Sequence, residues 1–371
     1  MKNNNLITIL VATVFGLLAG AAGALFSGFY LGVNDSSLAF SRELNLSGYG
    51  ALSSNLVIRD PKKVVVNQDV KTDETIRDLR ASLLGVFVKK TDKNAYYELA
   101  NPFSQALAAT SDGWVMAAWP KNFQKTDIEK IITDFVVIDS SRKTYKIDKV
   151  LADQEKIGAF IFLHLQNASG LNVRRLIPDA EINTGQSVLL SAGRGSFFLN
   201  ALSSKKASET VLSSDIYSQE LSLAYGEEAR PSFVFNLSGD IIAAVDWQGK
   251  WLVSPALDSY WRSLLKTASL RGPYLGVNYL DLSAITGDDN LPAKGARLQS
   301  NGSGSAVLKN SPAEKAGLKS GDIITRFNGV EINTSNNLSV LLAAYSPGDS
   351  VDITYSRNGV STDIELELSS Y

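Results

Sequence analysis

With one histidine and no cysteine among its 371 residues, this chain has few groups able to do chemistry near neutral pH. A single imidazole cannot build a multi-histidine metal site, and without thiols there are neither disulfides nor thiolate ligands, so no cofactor or metal is expected. Peptide hydrolysis by a serine needs a hydroxyl, an imidazole to take its proton and a carboxylate to orient the imidazole. Ser232 offers a hydroxyl with no base beside it in sequence. A serine–lysine pair using Lys205 or Lys206 is the other arrangement the sequence leaves open. The sole imidazole, His164, lies near the end of the strand-like run Ala159–Leu165. Alternation puts Phe160, Phe162 and His164 on one face and Ile161 and Leu163 on the other, which suits a structural histidine. The net charge of −2 leaves no electrostatic footprint for nucleic acid.

The elements that must position these groups read as mainly β. Between Ser82 and Leu252, short apolar runs recur between turn signals: Leu84–Val88, Trp114–Ala118, Phe135–Ile138, Ala159–Leu165, Ser187–Ser191, Phe233–Phe235 and Ile241–Val245. Such spacing predicts a barrel or sandwich. Thr72–Arg80 predicts a short amphipathic helix at its start. Near the C-terminus, Ser311 can cap a helical turn with Pro312 at its first position, and Gly317 can end it. Ser320-Gly321-Asp322 then turns into a strand Ile323–Phe327, and Asn328-Gly329 makes a hairpin turn into Val330–Ile332. A helix is expected over Asn336–Tyr345 and a strand over Val351–Arg357.

At the other end, Leu6–Val33 runs for 28 residues without a charge, following Lys2. A bilayer-spanning helix needs about 20 apolar residues. The length favours an uncleaved anchor over a removed signal, with the N-terminus cytoplasmic and the rest of the chain extracytoplasmic, at the cell membrane. Ala12, Gly16, Gly20, Ala24, Gly28 and Gly32 form a small-residue stripe of the kind that lets helices approach. The polar stretch from Asn34 to Lys71 is expected to be a tether.

The run Ser311–Gly329, with Tyr274-Leu275-Gly276-Val277 before it and Ser346-Pro347-Gly348-Asp349 after it, resembles the PDZ domains of the HtrA/Deg family of trypsin-like serine proteases. The resemblance covers roughly Pro273–Leu368. It implies a groove that binds the C-termini or extended segments of other proteins by β-augmentation. Tyr274, Leu275, Gly276 and Val277 would form the carboxylate-binding loop. Asn278, Tyr279 and Leu280 would supply the pairing edge, and Leu338, Leu341 and Leu342 the helical wall. Leu291–Gly304 is longer and more polar than the family pattern, and could cover that groove.

The region Thr72–Ala268 resembles, residue for residue more weakly, the double β-barrel that precedes the PDZ domain in the same family. Thr110–Met116 matches the strand leading to the family's histidine, Val150–Ala159 the region of its aspartate, Asn236–Ile242 the segment after its serine, and Pro255–Lys266 the closing helix. The chemistry departs from the pattern at each triad position. Trp119 and Pro120 stand where the histidine belongs, Ile157 where the aspartate belongs and Arg230 where the serine belongs, with Pro231 next to it. Proline has no N–H and a fixed φ, which suits an oxyanion loop badly.

The expected organisation is therefore an anchor (1–33), a tether (34–71), a degenerate trypsin-like domain (72–268) and a PDZ domain (269–371). The expected function is a non-catalytic, membrane-anchored adaptor, scaffold or regulator in extracytoplasmic protein quality control. The alternative is an active HtrA-type serine endopeptidase using unorthodox residues. Family resemblance also implies a homo-oligomer, a trimer, with aromatic residues of Tyr96–Phe103 where family loops make such contacts.

Overall fold

The computed structural model describes residues 68–370 except 93, 120–126, 154–156, 208, 218, 227–230, 287–290, 301 and 303. The expected anchor Leu6–Val33 and residues 34–67 of the tether lie outside them. Among the described residues, no helix is long and apolar enough to cross a membrane. Helix α1 spans Gln68–Arg80 and so starts inside the stretch expected to be tether. Asp69 in its first turn and Arg77 and Arg80 in its last complement the helix dipole.

The apolar runs build a closed antiparallel barrel. Its strands are β1 (Leu83–Val88), β2 (Ser104–Ala108), β3 (Trp114–Ala118), β4 (Phe135–Ile138), β5 (Thr144–Ala152) and β6 (Phe160–Leu165), with α2 (Asp127–Asp134) before β4. They close in the order β1-β2-β3-β6-β5-β4. All five residues of β3 are buried because both of its faces are covered. Val115 and Ala117 point into the barrel with Ile161, Leu163 and Leu165 of β6. Trp114, Met116 and Ala118 point outward with Phe160 and Phe162.

That outward face meets a second six-stranded antiparallel sheet, made from β7 (Ser187–Ala192), β8 (Ser196–Ala207), β10 (Gln219–Leu223), β11 (Ser232–Asn236), β12 (Ile241–Val245) and β13 (Trp251–Val253). Phe233, Phe235, Leu189 and Ile241 complete the shared core, with Leu79 of α1. Helix α3 (Ser254–Thr267) adds Leu257, Trp261 and Leu264. The loop between β8 and β10 carries one further short strand, β9 (Val211–Ser213), which does not belong to this sheet.

The C-terminal domain comprises β14 (Pro273–Tyr274), β15 (Asn278–Asp281), β16 (Ala296–Leu298), α4 (Pro312–Lys315), β17 (Ile323–Phe327), β18 (Val330–Glu331), α5 (Leu338–Ala343), β19 (Ser350–Arg357), β20 (Val360–Glu367) and β21 (Ser369–Ser370). The Ser311 side chain caps α4, accepting from the Glu314 N–H at 3.1 Å. Asn328 and Gly329 turn with φ of 46° and 76°, the left-handed pair that a two-residue hairpin requires. Buried Asp322 accepts from Arg357 Nε at 2.6 Å and Nη2 at 2.7 Å, tying the turn before β17 to the end of β19. The domain also touches α3, where the Arg262 guanidinium donates to the Ala344 carbonyl.

Candidate functional site

At the positions matched to the family's histidine and aspartate, the interior is packed with apolar side chains. Ile157 is 1 % exposed and lies in the shared core with Phe160, Phe233 and Ala118. Trp119 turns away from that core into an aromatic cluster, its ring 5.0 Å from both Phe103 and Phe135. The backbone around Ile157 is fixed from the second sheet by Asp246. Its carboxylate accepts from Ala159 N–H at 3.1 Å and from the Gln248 and Lys250 N–H groups at 2.9 Å each. Asp246→Ala strands these donors, and the melting transition should show a loss of about 2–4 kcal/mol.

Arg230 and Pro120 lie outside the described residues. Ser232 is described: it opens β11, paired with Ala192 on one side and Val245 on the other. It is 2 % exposed, and its hydroxyl has no hydrogen-bond partner among the described residues. His164 sits at the other end of the barrel. It pairs with Trp114, whereas Phe160, four residues earlier and roughly 13 Å along the strand, pairs with Ala118 beside Trp119. Its Nδ1 lies 2.5 Å from Asp148 Oδ1, and its ring packs 5.0 Å from that of Trp114. Lys205 is also engaged elsewhere, donating to Asp179 Oδ2 at 2.9 Å and to the Asp179 carbonyl at 2.8 Å. Among the described residues, no group of three or more His, Asp or Glu side chains could hold a metal ion.

A second site is built from backbone. Leu275, Gly276 and Val277 form a loop between β14 and β15, held from behind by α4 and the residues before it: Leu275 O accepts from Ala313 N–H at 3.1 Å and Gly276 O from Leu308 N–H at 2.9 Å. Gly276 has a φ of 82°, and a Cβ there would lie 2.3 Å from Ser311 Cβ, so glycine is required on both counts. The loop thus aims three successive N–H groups one way. Three N–H groups turned one way in this manner suit a carboxylate, and the strand that follows offers a pairing edge.

Both are occupied by the chain itself. Strand β9 lies antiparallel on β15, with Val211 opposite Leu280, Leu212 opposite Tyr279 and Ser213 opposite Asn278. Ser214 N–H continues the ladder to Val277 O at 2.9 Å. Asp215 then supplies a carboxylate. Its Oδ1 accepts from Leu275 N–H at 2.7 Å, and Oδ1 and Oδ2 accept from Gly276 N–H at 3.1 and 3.2 Å. Val277 N–H donates to Ser214 Oγ at 3.2 Å. Burial pushes the Asp215 carboxyl above its ordinary range, against the pull of the Leu275 and Gly276 N–H groups.

The remaining residues expected at this site are distributed around it. Tyr274 pairs with Ser369 in the β14–β21 ribbon. Asn278 donates its side-chain amide to Ser305 O at 2.8 Å. Tyr279 is fully buried, its hydroxyl accepting from Ser339 N–H at the start of α5. Leu338 and Leu342 are buried in the domain core. Leu342 also lines a cavity of about 110 Å³, together with Ser214, Asp215, Pro273, Ser339 and Ala343. Leu341 faces a separate cavity shared with Arg175, Asp258 and Arg262. Among its described residues, Leu291–Gly304 supplies β16 (Ala296–Leu298), on the opposite edge of β15 from β9, rather than covering the groove edge that β9 pairs with.

The family model for the PDZ domain matches residues 273–368. This region is a PDZ domain. Curated relatives match part of the chain. One is a probable periplasmic serine protease do/HhoA-like of Haemophilus influenzae, 35 % identical over 107 residues, which are 29 % of this chain and 22 % of that protein. Another is the serine protease Do-like HtrA of Bacillus subtilis, 35 % identical over 109 residues, 28 % of this chain and 24 % of the relative. The zinc metalloprotease RasP of Shouchella clausii is 44 % identical over 61 residues, 16 % of this chain and 14 % of its own. The chain thus spans about a quarter or less of the relatives it matches. Two catalytic classes share such matches, so they speak for the PDZ domain and not for the chemistry of the domain before it. Among solved structures, the HtrA-type protease AlgW with tripeptide aligns over 81 % of this chain and 97 % of its own, with 13 % identity and a TM-score of 0.49.

What sequence reasoning missed at the PDZ groove is its occupant. Val211–Ser213 is three residues long and carries one buried side chain, Leu212. No periodicity can reveal so short a strand. The one local signal is a carboxylate two residues beyond it, in a chain that also carries a carboxylate-binding loop.

Proposed function

We propose that this chain is an HtrA-type protein that holds other proteins rather than cutting them: a trypsin-like scaffold without hydrolytic machinery, joined to a PDZ domain that grips chain ends. The observation that supports it is the packing at the matched triad positions. Ile157 is core, Trp119 is part of an aromatic cluster, and the chain's one imidazole is paired with Asp148 at the far end of β6. A serine without a base within reach has no route for its proton. Leu6–Val33 would tether the protein to the cell membrane with its globular part extracytoplasmic, in keeping with the periplasmic name of one relative. Tyr96, 85 % exposed near the barrel surface, would serve contacts between copies.

Incubation of the purified protein with unfolded casein tests the proposal. No cleavage above background is expected, and Ser232→Ala should leave that result unchanged. The same variant should gain up to about 1 kcal/mol of stability, because it removes a buried hydroxyl that lacks a partner. Cleavage that Ser232→Ala abolishes would overturn the proposal and establish an active endopeptidase.

A further inference from the structure

The PDZ groove is filled by a segment of the neighbouring domain that imitates a bound chain end in direction, in sheet pairing and in supplying oxygen acceptors to the loop. Its direction is antiparallel to β15, its main chain continues the sheet, Leu212 is buried with the PDZ core, and the Ser214 and Asp215 side chains satisfy all three loop donors. The downstream side of the segment is secured to the second sheet, since the Tyr217 hydroxyl donates to Asp179, which also binds Lys205. A connection between two strands of one sheet has no need to cross to another domain and present a carboxylate there. We infer that Val211–Asp215 is a tethered ligand that keeps the PDZ groove closed, and that a partner binds by displacing it.

The partner's chemistry follows from what the tether does badly. A free C-terminus brings its carboxylate directly on the main chain, whereas the tether must fold the Asp215 side chain back to the loop. At the last ladder position the tether places only the small side chain of Ser214, beside the cavity of about 110 Å³ lined by Leu342, Ala343 and Pro273. An apolar terminal side chain would fill that space, and its burial and packing there favour the partner over the tether. The partner class is therefore a free chain end with an apolar last residue. A tethered competitor acts at an effective concentration near millimolar, so the affinity seen for such a partner is reduced by the fraction of molecules that are open. This inference rests on the proposal that the groove takes C-termini.

Fluorescence anisotropy with a labelled peptide ending Thr-Val-Leu-Ser-Val and carrying a free carboxylate tests it. Asp215→Ala should bind the probe at least tenfold more tightly than the wild-type chain. Independently, Ser213 and Asn278 face each other at a site between ladder hydrogen bonds, where cross-strand Cβ atoms lie close enough for a disulfide. A double variant, Ser213→Cys with Asn278→Cys, adds the only two thiols in the chain. Oxidised, it should not bind the probe; reduced, it should. If the oxidised and reduced forms bind equally, or Asp215→Ala binds no better than wild type, the tether is not a competitor and the inference falls alone. If none of the proteins binds the probe, the groove reading falls with it.

Discussion

Placing an aspartate at position 157 should lower the unfolding midpoint by about 10–20 °C and produce no hydrolysis. Ile157 is 1 % exposed among Phe160, Phe233 and Ala118. Ile157→Asp forfeits about 2 kcal/mol of apolar burial and leaves a carboxylate in a core with no imidazole to receive it. The sum is about 5 kcal/mol or more, which in a domain of this size corresponds to the shift given. Thermal denaturation and the casein assay on the same preparation check both halves. A variant that melts near the wild-type temperature would mean the site can admit a charge, and with it water.

The second large effect is at the loop. Gly276→Ala should weaken binding of carboxylate-terminated peptides at least tenfold and destabilise the protein by about 2–4 kcal/mol. A φ of 82° costs an alanine about 1 kcal/mol, and a Cβ 2.3 Å from Ser311 Cβ forces the loop or α4 to move, at about 1–3 kcal/mol more. Moving the loop also breaks the convergence of its N–H groups. Ser311→Gly in the same chain removes the opposing carbon and should recover part of the stability while φ strain remains. Chemical denaturation of the single and double variants separates the two terms; no recovery would assign the whole cost to the backbone.

Much of this architecture was legible because it is written in local rules. The capped turn at Ser311, the Asn328-Gly329 hairpin and the strand Ile323–Phe327 each follow from a few neighbouring residues. The apolar runs of β3 and β6 announced strands, and the structure shows them covered on both faces. Strands such as β5 (Thr144–Ala152) and β8 (Ser196–Ala207) were harder to see, because exposed and polar positions interrupt their pattern. The packing around Ile157 and the pairing of His164 with Asp148 depend on residues far apart in sequence. The groove's occupant was invisible for a further reason. Asp215 meets Leu275 and Gly276 across 60 and 61 residues, and the carboxylate alone hints at the contact.

Strand β9 also bears on solubility. With it seated, the Tyr279 main-chain N–H and C=O on the β9 edge of β15 are covered, and that edge of the PDZ sheet offers no template to another molecule. Cutting the chain between β8 and β10 would bare this flank without supplying a partner, so nicked protein should self-associate where intact protein stays dispersed.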